Sequence, residues 1–251
     1  MPNLKFKILL ILLLSVYASA GTIRIAVAAN VSYAIEDLKR AFAKENPDTK
    51  VQVILGSSGK LTAQIKNGAP YQLFMAANMK YPGALYADKV AVTKPLVYAE
   101  GTLAYLSVKP QDFSKGMALL KDPQIKRIAV ANAKTAPYGK ATQEAMQNAK
   151  VYGEVKGKLI FAESASQTVS YTVTAADIGF IAKSSLYSKQ MKKYKEGKNW
   201  EELDPKLYAS IKQGIVILKR GESNSEVKAF YDFMFSNEAK EILKKFGYRL
   251  P

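Results

Sequence analysis

Thr22-Ile23-Arg24-Ile25-Ala26-Val27-Ala28-Ala29 runs into Asn30-Val31-Ser32, and then Ile35, Leu38 and Phe42 follow at helical spacing before Asn46-Pro47. The first eight residues are mostly apolar, the pattern of a strand covered on both faces. The spacing that follows predicts a helix over residues 32–45, stopped by the proline. Outward from this unit the rhythm repeats. Residues 50–55 predict a second strand, Gly56-Ser57-Ser58-Gly59 a turn, 61–67 a helix ended by Gly68, and 72–77 a third strand. Farther on come a strand over 127–131, a helix over 140–148, a strand over 158–162, a helix over 166–174 and a strand over 177–182. Such alternation implies an α/β chain with parallel sheets.

Two extended apolar segments, 101–108 and 213–219, bracket the middle third and suggest crossings between lobes. The helices expected over 225–236 and 238–246 then return to the first lobe. The simplest architecture is two α/β lobes joined by two crossover strands, with a ligand cleft between them that closes by hinge motion. Residues 21–100 plus 212–251 form lobe I in this reading, and residues 101–211 form lobe II.

Composition removes most catalytic alternatives. The chain has 251 residues, 48% apolar and 23% charged, a globular balance with ample length for a core. With Cys 0 and His 0 there is no disulfide, no thiolate or imidazole metal site, and neither a cysteine nucleophile nor a histidine base. No metal is expected to be held directly by side chains. Lys+Arg 37 against Asp+Glu 21 gives a formal charge of +16. The lysines are scattered, and the densest group, Lys189 to Lys198, reads as a solvated face; with no aromatic RNA-binding pattern or zinc finger, nucleic acid is not an expected partner.

At the amino terminus Lys5 and Lys7 precede the apolar run Ile8 to Leu14, and Ala18-Ser19-Ala20 supplies a small-x-small cleavage pattern. Residues 1–20 therefore read as a cleavable signal peptide, with Gly21 first in the mature chain. The apolar run is shorter than the ~20 residues of a membrane span. No other long apolar run follows, so no span is expected in the mature chain.

In open α/β sheets ligands bind beyond the carboxyl ends of strands. Those positions here are Ala29-Asn30-Val31-Ser32, Gly56-Ser57-Ser58-Gly59, Thr135-Ala136-Pro137-Tyr138-Gly139 and Glu163-Ser164-Ala165-Ser166. Each precedes a predicted helix, whose first turn carries free N–H groups and the positive end of the dipole. Four such ends meeting in one cleft make an anion site without formal charge. Ser32, Ser58 and Ser166 are also the residue type that caps helices, and capping alone would account for each of them singly.

These turns, with Val27-Ala28-Ala29-Asn30, Gly56-Ser57-Ser58-Gly59-Lys60-Leu61, Gly68-Ala69-Pro70-Tyr71-Gln72-Leu73-Phe74, Ala136-Pro137-Tyr138-Gly139 and Ala175-Ala176-Asp177-Ile178-Gly179-Phe180, resemble the molybdate-binding proteins of molybdate ABC transporters. The resemblance runs in order over most of the mature chain. It implies a type II periplasmic binding fold and a periplasmic, non-enzymatic, monomeric receptor. Such a receptor delivers molybdate, and usually tungstate, to a membrane permease and ATPase. By the resemblance the ligand is held by Asn30, Ser58, Tyr138 (through its hydroxyl or its backbone) and the backbone of Ala165. Ala29, Ser57 and Ala182 are further candidates. Mo or W is bound only as the oxyanion, and no cofactor is implied. Two departures stand out: Gln72 occupies a position that is often Asp in the family, and Ala182 one that is Tyr in some relatives.

Other matches point elsewhere. Ser57-Ser58-Gly59-Lys60 fits the Ser-x-x-Lys of β-lactamases, which opens a secreted serine hydrolase as an alternative, but no Ser-Asp-Asn or Lys-Thr-Gly partner follows. The same stretch is too short for a phosphate loop and has Leu61 where magnesium needs a hydroxyl. Asn30-Val31-Ser32 is a formal glycosylation sequon, though a residue lining a cleft is a poor acceptor. Within binding proteins, a receptor for sulfate or another small oxyanion is the other possibility.

Overall fold

The computed structural model describes residues 21–251, and the expected signal peptide lies outside the described residues. The chain opens with β1 (Gly21–Ala28), a short helical turn (Ala29–Tyr33), α1 (Ile35–Glu45), β2 (Thr49–Gly56), α2 (Ser58–Lys66), β3 (Leu73–Ala76), α3 (Lys80–Ala87) and β4 (Leu96–Gly101). The middle third holds β5 (Leu103–Leu106), β6 (Ile128–Ala131), α4 (Pro137–Asn148), α5 (Tyr152–Val155), β7 (Leu159–Ala162), α6 (Ala165–Thr174), β8 (Ile178–Ala182) and β9 (Trp200–Glu202). It ends with β10 (Ile211–Ile217), α7 (Ser225–Phe233) and α8 (Asn237–Lys245).

Two five-stranded sheets result, ordered β2-β1-β3-β10-β4 and β7-β6-β8-β5-β9. In the first, β1 runs parallel to β2 and β3, while β10 is antiparallel to β3 and β4. In the second, β6 runs parallel to β7 and β8, while β5 is antiparallel to β8 and β9. The expectation of parallel sheets is thus corrected to mixed ones. β5 and β10 arrive from the other lobe, without the crossover helix that makes neighbours parallel.

The crossings also differ from expectation. The chain leaves the first sheet at Gly101 and joins the second at Leu103, so the segment 101–108 begins as a crossing and continues as β5. Residues 213–219 do not cross. Most of them belong to β10, an inner strand of the first sheet, and the return path lies just upstream, between β9 and β10. Their apolarity reflects burial between two neighbouring strands rather than a passage between lobes.

Each lobe has a core of its own. Ile23, Ile25, Val27, Met75 and Ile215 pack beneath α1, α7 and α8. There Phe42 meets Phe230 edge-on, ring centroids 5.1 Å apart, and Phe233 at 5.6 Å. Truncating a buried phenylalanine like Phe42 costs about 3–5 kcal/mol. Leu103, Tyr105, Ile128, Val130, Ile178 and Phe180 pack with Met117 and Met146 in the second lobe. The second cluster also takes in Ala28 and Ala77 of the first lobe, which brings the two lobes into contact at the cleft.

Helix starts follow local chemistry. α4 begins at Pro137, not near residue 140 as the periodicity suggested, because proline's fixed φ and missing N–H suit the first helical position. The caps are Ser57 for α2 and Ser164 for α6, not Ser58 and Ser166, and Ser32 sits inside the turn before α1. Gln72, at the departure from the family pattern, turns its Oε1 to the N–H of Arg24 at 2.9 Å. Among the described residues no helix is long and apolar enough to cross a membrane.

A candidate anion cradle between the lobes

The turns after β1 and β2 meet those after β6 and β7 around a small cavity of ≈ 10 Å³, about the room of one water molecule. Its wall contains Asn30, Ser58, Tyr138 and Ala165, together with Ala29 and Ser57. Ala28, Gly56, Ala77, Ala136 and Pro137 complete it, and no charged side chain lines it among the described residues. Ala182 stands apart: it ends β8 opposite Leu103, and its carbonyl accepts from Ser185 Oγ at 2.8 Å. The cavity is far below the ≈ 300–1,000 Å³ usual for organic ligands, so only a small ion fits the space between these turns.

Polarity comes from helix starts. Ser58 is the first residue of α2, and its Oγ accepts the N–H of Ala77 at 2.9 Å. That bond occupies a lone pair and leaves the hydroxyl proton to be donated elsewhere. In α4, Pro137 has no N–H, so Tyr138 is the first residue with a backbone donor unclaimed by the helix. Ala165 holds the equivalent place at the start of α6, behind a Ser164 cap whose Oγ accepts from Gln167 N at 3.4 Å.

Two of the lining side chains are engaged by neighbouring residues at the seam between lobes. Asn30 Nδ2 donates to Gln213 Oε1 at 2.9 Å and to Tyr248 Oη at 3.0 Å. Tyr248 Oη in turn donates to Asn30 O at 2.9 Å, and Ser184 Oγ reaches the same carbonyl at 3.0 Å. The hydroxyl of Tyr138 lies against Gly101, where a Cβ would come within 1.9 Å of it, and it is buried without a well-formed hydrogen bond. The backbone N–H of Tyr138, at the first turn of α4, is the donor that needs no rearrangement of this packed hydroxyl. Burial, reinforced by the Tyr248, Tyr98 and Tyr208 phenols, holds the Tyr138 phenol well above its ordinary range. Burial likewise pushes Tyr248 up to about 12, with its bonds to Ser184 and Asn30 opposing the rise.

Lys60, the base that a Ser-x-x-Lys hydrolase needs, points its ammonium at Glu163 across the cleft, 3.9 Å away. Glu163 Oε1 also takes the Ser57 Oγ proton at 3.0 Å. In the sequence Glu163 is legible only as part of a turn, and nothing there ties Gln213, Ser184 or Tyr248 to the site. A signal for Glu163 was present, an acid directly before a helix cap at the cleft. The other three meet Asn30 from 154 to 218 residues away in the chain.

Residues 23–249 match the family described as bacterial extracellular solute-binding protein. A molybdate-binding protein ModA from Rhodobacter capsulatus is 34% identical over 95% of this chain and 92% of its own length. The one from Azotobacter vinelandii is 33% identical over 95% of this chain and 94% of its own. The solved structure of the Azotobacter vinelandii periplasmic molybdate-binding protein superposes with a TM-score of 0.84 and 30% identity, covering 91% of this chain and 99% of that one. The sulfate-binding protein SubI from Mycobacterium tuberculosis, at 13% identity and a TM-score of 0.71, shares the fold alone. The two-lobed architecture is that of the periplasmic binding proteins, and the chain belongs to the bacterial extracellular solute-binding protein family, alongside these molybdate-binding relatives.

Proposed function

We propose that this chain captures molybdate, and tungstate beside it, in the periplasm and hands it to the permease and ATPase of an ABC transporter. One observation carries the reading: an uncharged, ion-sized cavity at the first turns of α2, α4 and α6, with the Ser58 hydroxyl oriented by Ala77. The names of the relatives supply the identity of the oxyanion. Side-chain and backbone groups act here as binders only; Mo or W enters as cargo within its oxygen shell.

The donor set selects by proton count. Molybdate, tungstate and sulfate carry no proton near neutral pH, so each oxygen only accepts, and N–H and O–H groups can satisfy all of them. Hydrogen phosphate brings a proton that needs an acceptor, and leaving it unpaired costs about 1–3 kcal/mol, or roughly one to two decades of affinity. Sulfate differs from molybdate only in size, so its rejection depends on donors from two lobes that cannot both follow a smaller ion.

The test is calorimetric titration of residues 21–251 with molybdate, tungstate, sulfate and phosphate. Molybdate and tungstate should bind most tightly, with phosphate at least tenfold weaker. Tightest binding of sulfate would instead make the chain a sulfate receptor, and phosphate equal to molybdate would overturn the donor-only site.

A further inference from the structure

The strongest feature outside the cavity wall is a carboxylate that reaches across the mouth of the cleft. Glu163 lies between β7 and the cap of α6, in the second lobe. Its Oε1 accepts from Ser57 Oγ at 3.0 Å and from Ser57 N at 3.4 Å, both in the first lobe, with Lys60 Nζ at 3.9 Å. Ser57 caps α2 by position, yet its side chain makes no cap bond. A capping serine normally accepts an N–H of the first turn. Here the hydroxyl is instead turned outward to the opposite lobe.

Other bonds beside it span the same gap. Gly59 N donates to Thr135 O at 2.8 Å, and a Cβ on Gly59 would stand 2.9 Å from Thr135 Cα. Tyr81 Oη reaches the carbonyls of Lys134 and Thr135 at 3.3 and 3.5 Å. All of these contacts join residues of different lobes, so they form only when the cleft is shut.

A carboxylate near an anion site repels the ligand, so its presence calls for a compensating role. Ser57 lines the cavity on one side and an outer groove on the other, and Glu163 and Lys60 line that groove. We propose that Glu163 is a positioning residue that latches the closed cleft through Ser57 and Lys60 and thereby slows release of the bound oxyanion; this rests on the oxyanion reading above. Hydrogen bonds to an ionised group are the strong ones, so a latch of this kind is effective even half-exposed. It engages after the ligand has entered, and so acts on the off-rate rather than the on-rate.

The experiment measures release of isotope-labelled molybdate, chased by excess unlabelled molybdate, alongside the association rate. Glu163→Ala should raise the off-rate about tenfold, the loss of one charge-assisted bond discounted for exposure, with the on-rate unchanged or slightly faster. Glu163→Gln keeps an acceptor for Ser57 and loses only the pairing with Lys60, so its off-rate should rise about threefold. Lys60→Met should match Glu163→Gln. An off-rate unchanged in Glu163→Ala, or an affinity that rises because a negative charge has gone, would overturn the latch while leaving the oxyanion reading in place. If the wild-type chain binds neither molybdate nor tungstate, the oxyanion reading falls first and the latch with it. A melting temperature of Glu163→Gln equal to wild type excludes misfolding as the cause.

Discussion

The two lobes share one strand plan and differ in what they show the cavity. Each places three parallel strands beside an antiparallel strand that came from the other lobe. Each brings two strand ends to the cleft. The first lobe lines it with Asn30, Ser57 and Ser58, and one of these hydroxyls is oriented inside its own lobe by Ala77. The second lobe contributes Ala136, Pro137, Tyr138 and Ala165, whose side chains offer the cavity nothing polar once the Tyr138 hydroxyl has turned to Gly101. The same fold therefore offers the cavity a hydroxyl from one side and bare helix starts from the other. Backbone donors are set by the helix itself, so the second lobe can act with alanines where the first needs serine.

Deleting one donor on each side tests this difference most strongly. Ser58→Ala should weaken molybdate binding by about 1.5–3 kcal/mol, read by calorimetry, and should also cost stability because the buried N–H of Ala77 loses its acceptor. On the other side, Ala165→Pro replaces the N–H by the ring Cδ, so it removes the donor and narrows the cavity at that point. Proline is favoured at this first helical position, and Ser164 before it is already extended at φ −145 and ψ 167, as a residue before proline must be. Its loss in affinity should be at least that of Ser58→Ala, whereas Ala165→Gly, which keeps the N–H and adds no atoms, should change affinity by less than about 0.5 kcal/mol. Equal effects from Pro and Gly would mean that the second lobe contributes packing rather than a donor.

The seam provides a pH test. Tyr248 is held protonated up to about 12 in the fold, while an unfolded tyrosine ionises near 10. A raised folded value stabilises the fold fully below the unfolded pKa, and that stabilisation is lost as pH rises toward the folded one. Circular dichroism should show a melting temperature steady up to about pH 10 that falls above it. Tyr248→Phe should lessen that fall without abolishing it, because burial also raises Tyr33, Tyr98 and Tyr138.

A smaller effect is expected at Tyr138. Tyr138→Phe should leave molybdate affinity within about twofold and stability unchanged or slightly raised, because the deleted hydroxyl is buried without a good partner. A tenfold loss of affinity would show that the hydroxyl turns to the ligand on binding. Smallest of all is the response near neutrality. With no histidine in the chain and no charged side chain on the cavity wall, affinity between about pH 6 and 8 should be flat.

Alternating apolar runs and helical spacings were enough to read an α/β chain, its two lobes and the four turns that carry the cradle. These depend on neighbours in sequence: a buried strand must be apolar, and a helix must start where a cap or a proline allows it. Within those turns, Asn30, Ser58, Tyr138 and Ala165 were singled out by the resemblance to the molybdate-binding family, and each sits where a strand ends and a helix begins. Which atom of each faces the cavity was not. Asn30 is claimed by Gln213 and Tyr248, 183 and 218 residues away, and Tyr138 by the space above Gly101. The antiparallel course of β5 and β10, the buried tyrosine seam and the reach of Glu163 to Ser57 likewise join residues distant in the chain. Periodicity reports which face of an element is buried but not what it is buried against, so those pairings were decided only when the two lobes folded and met.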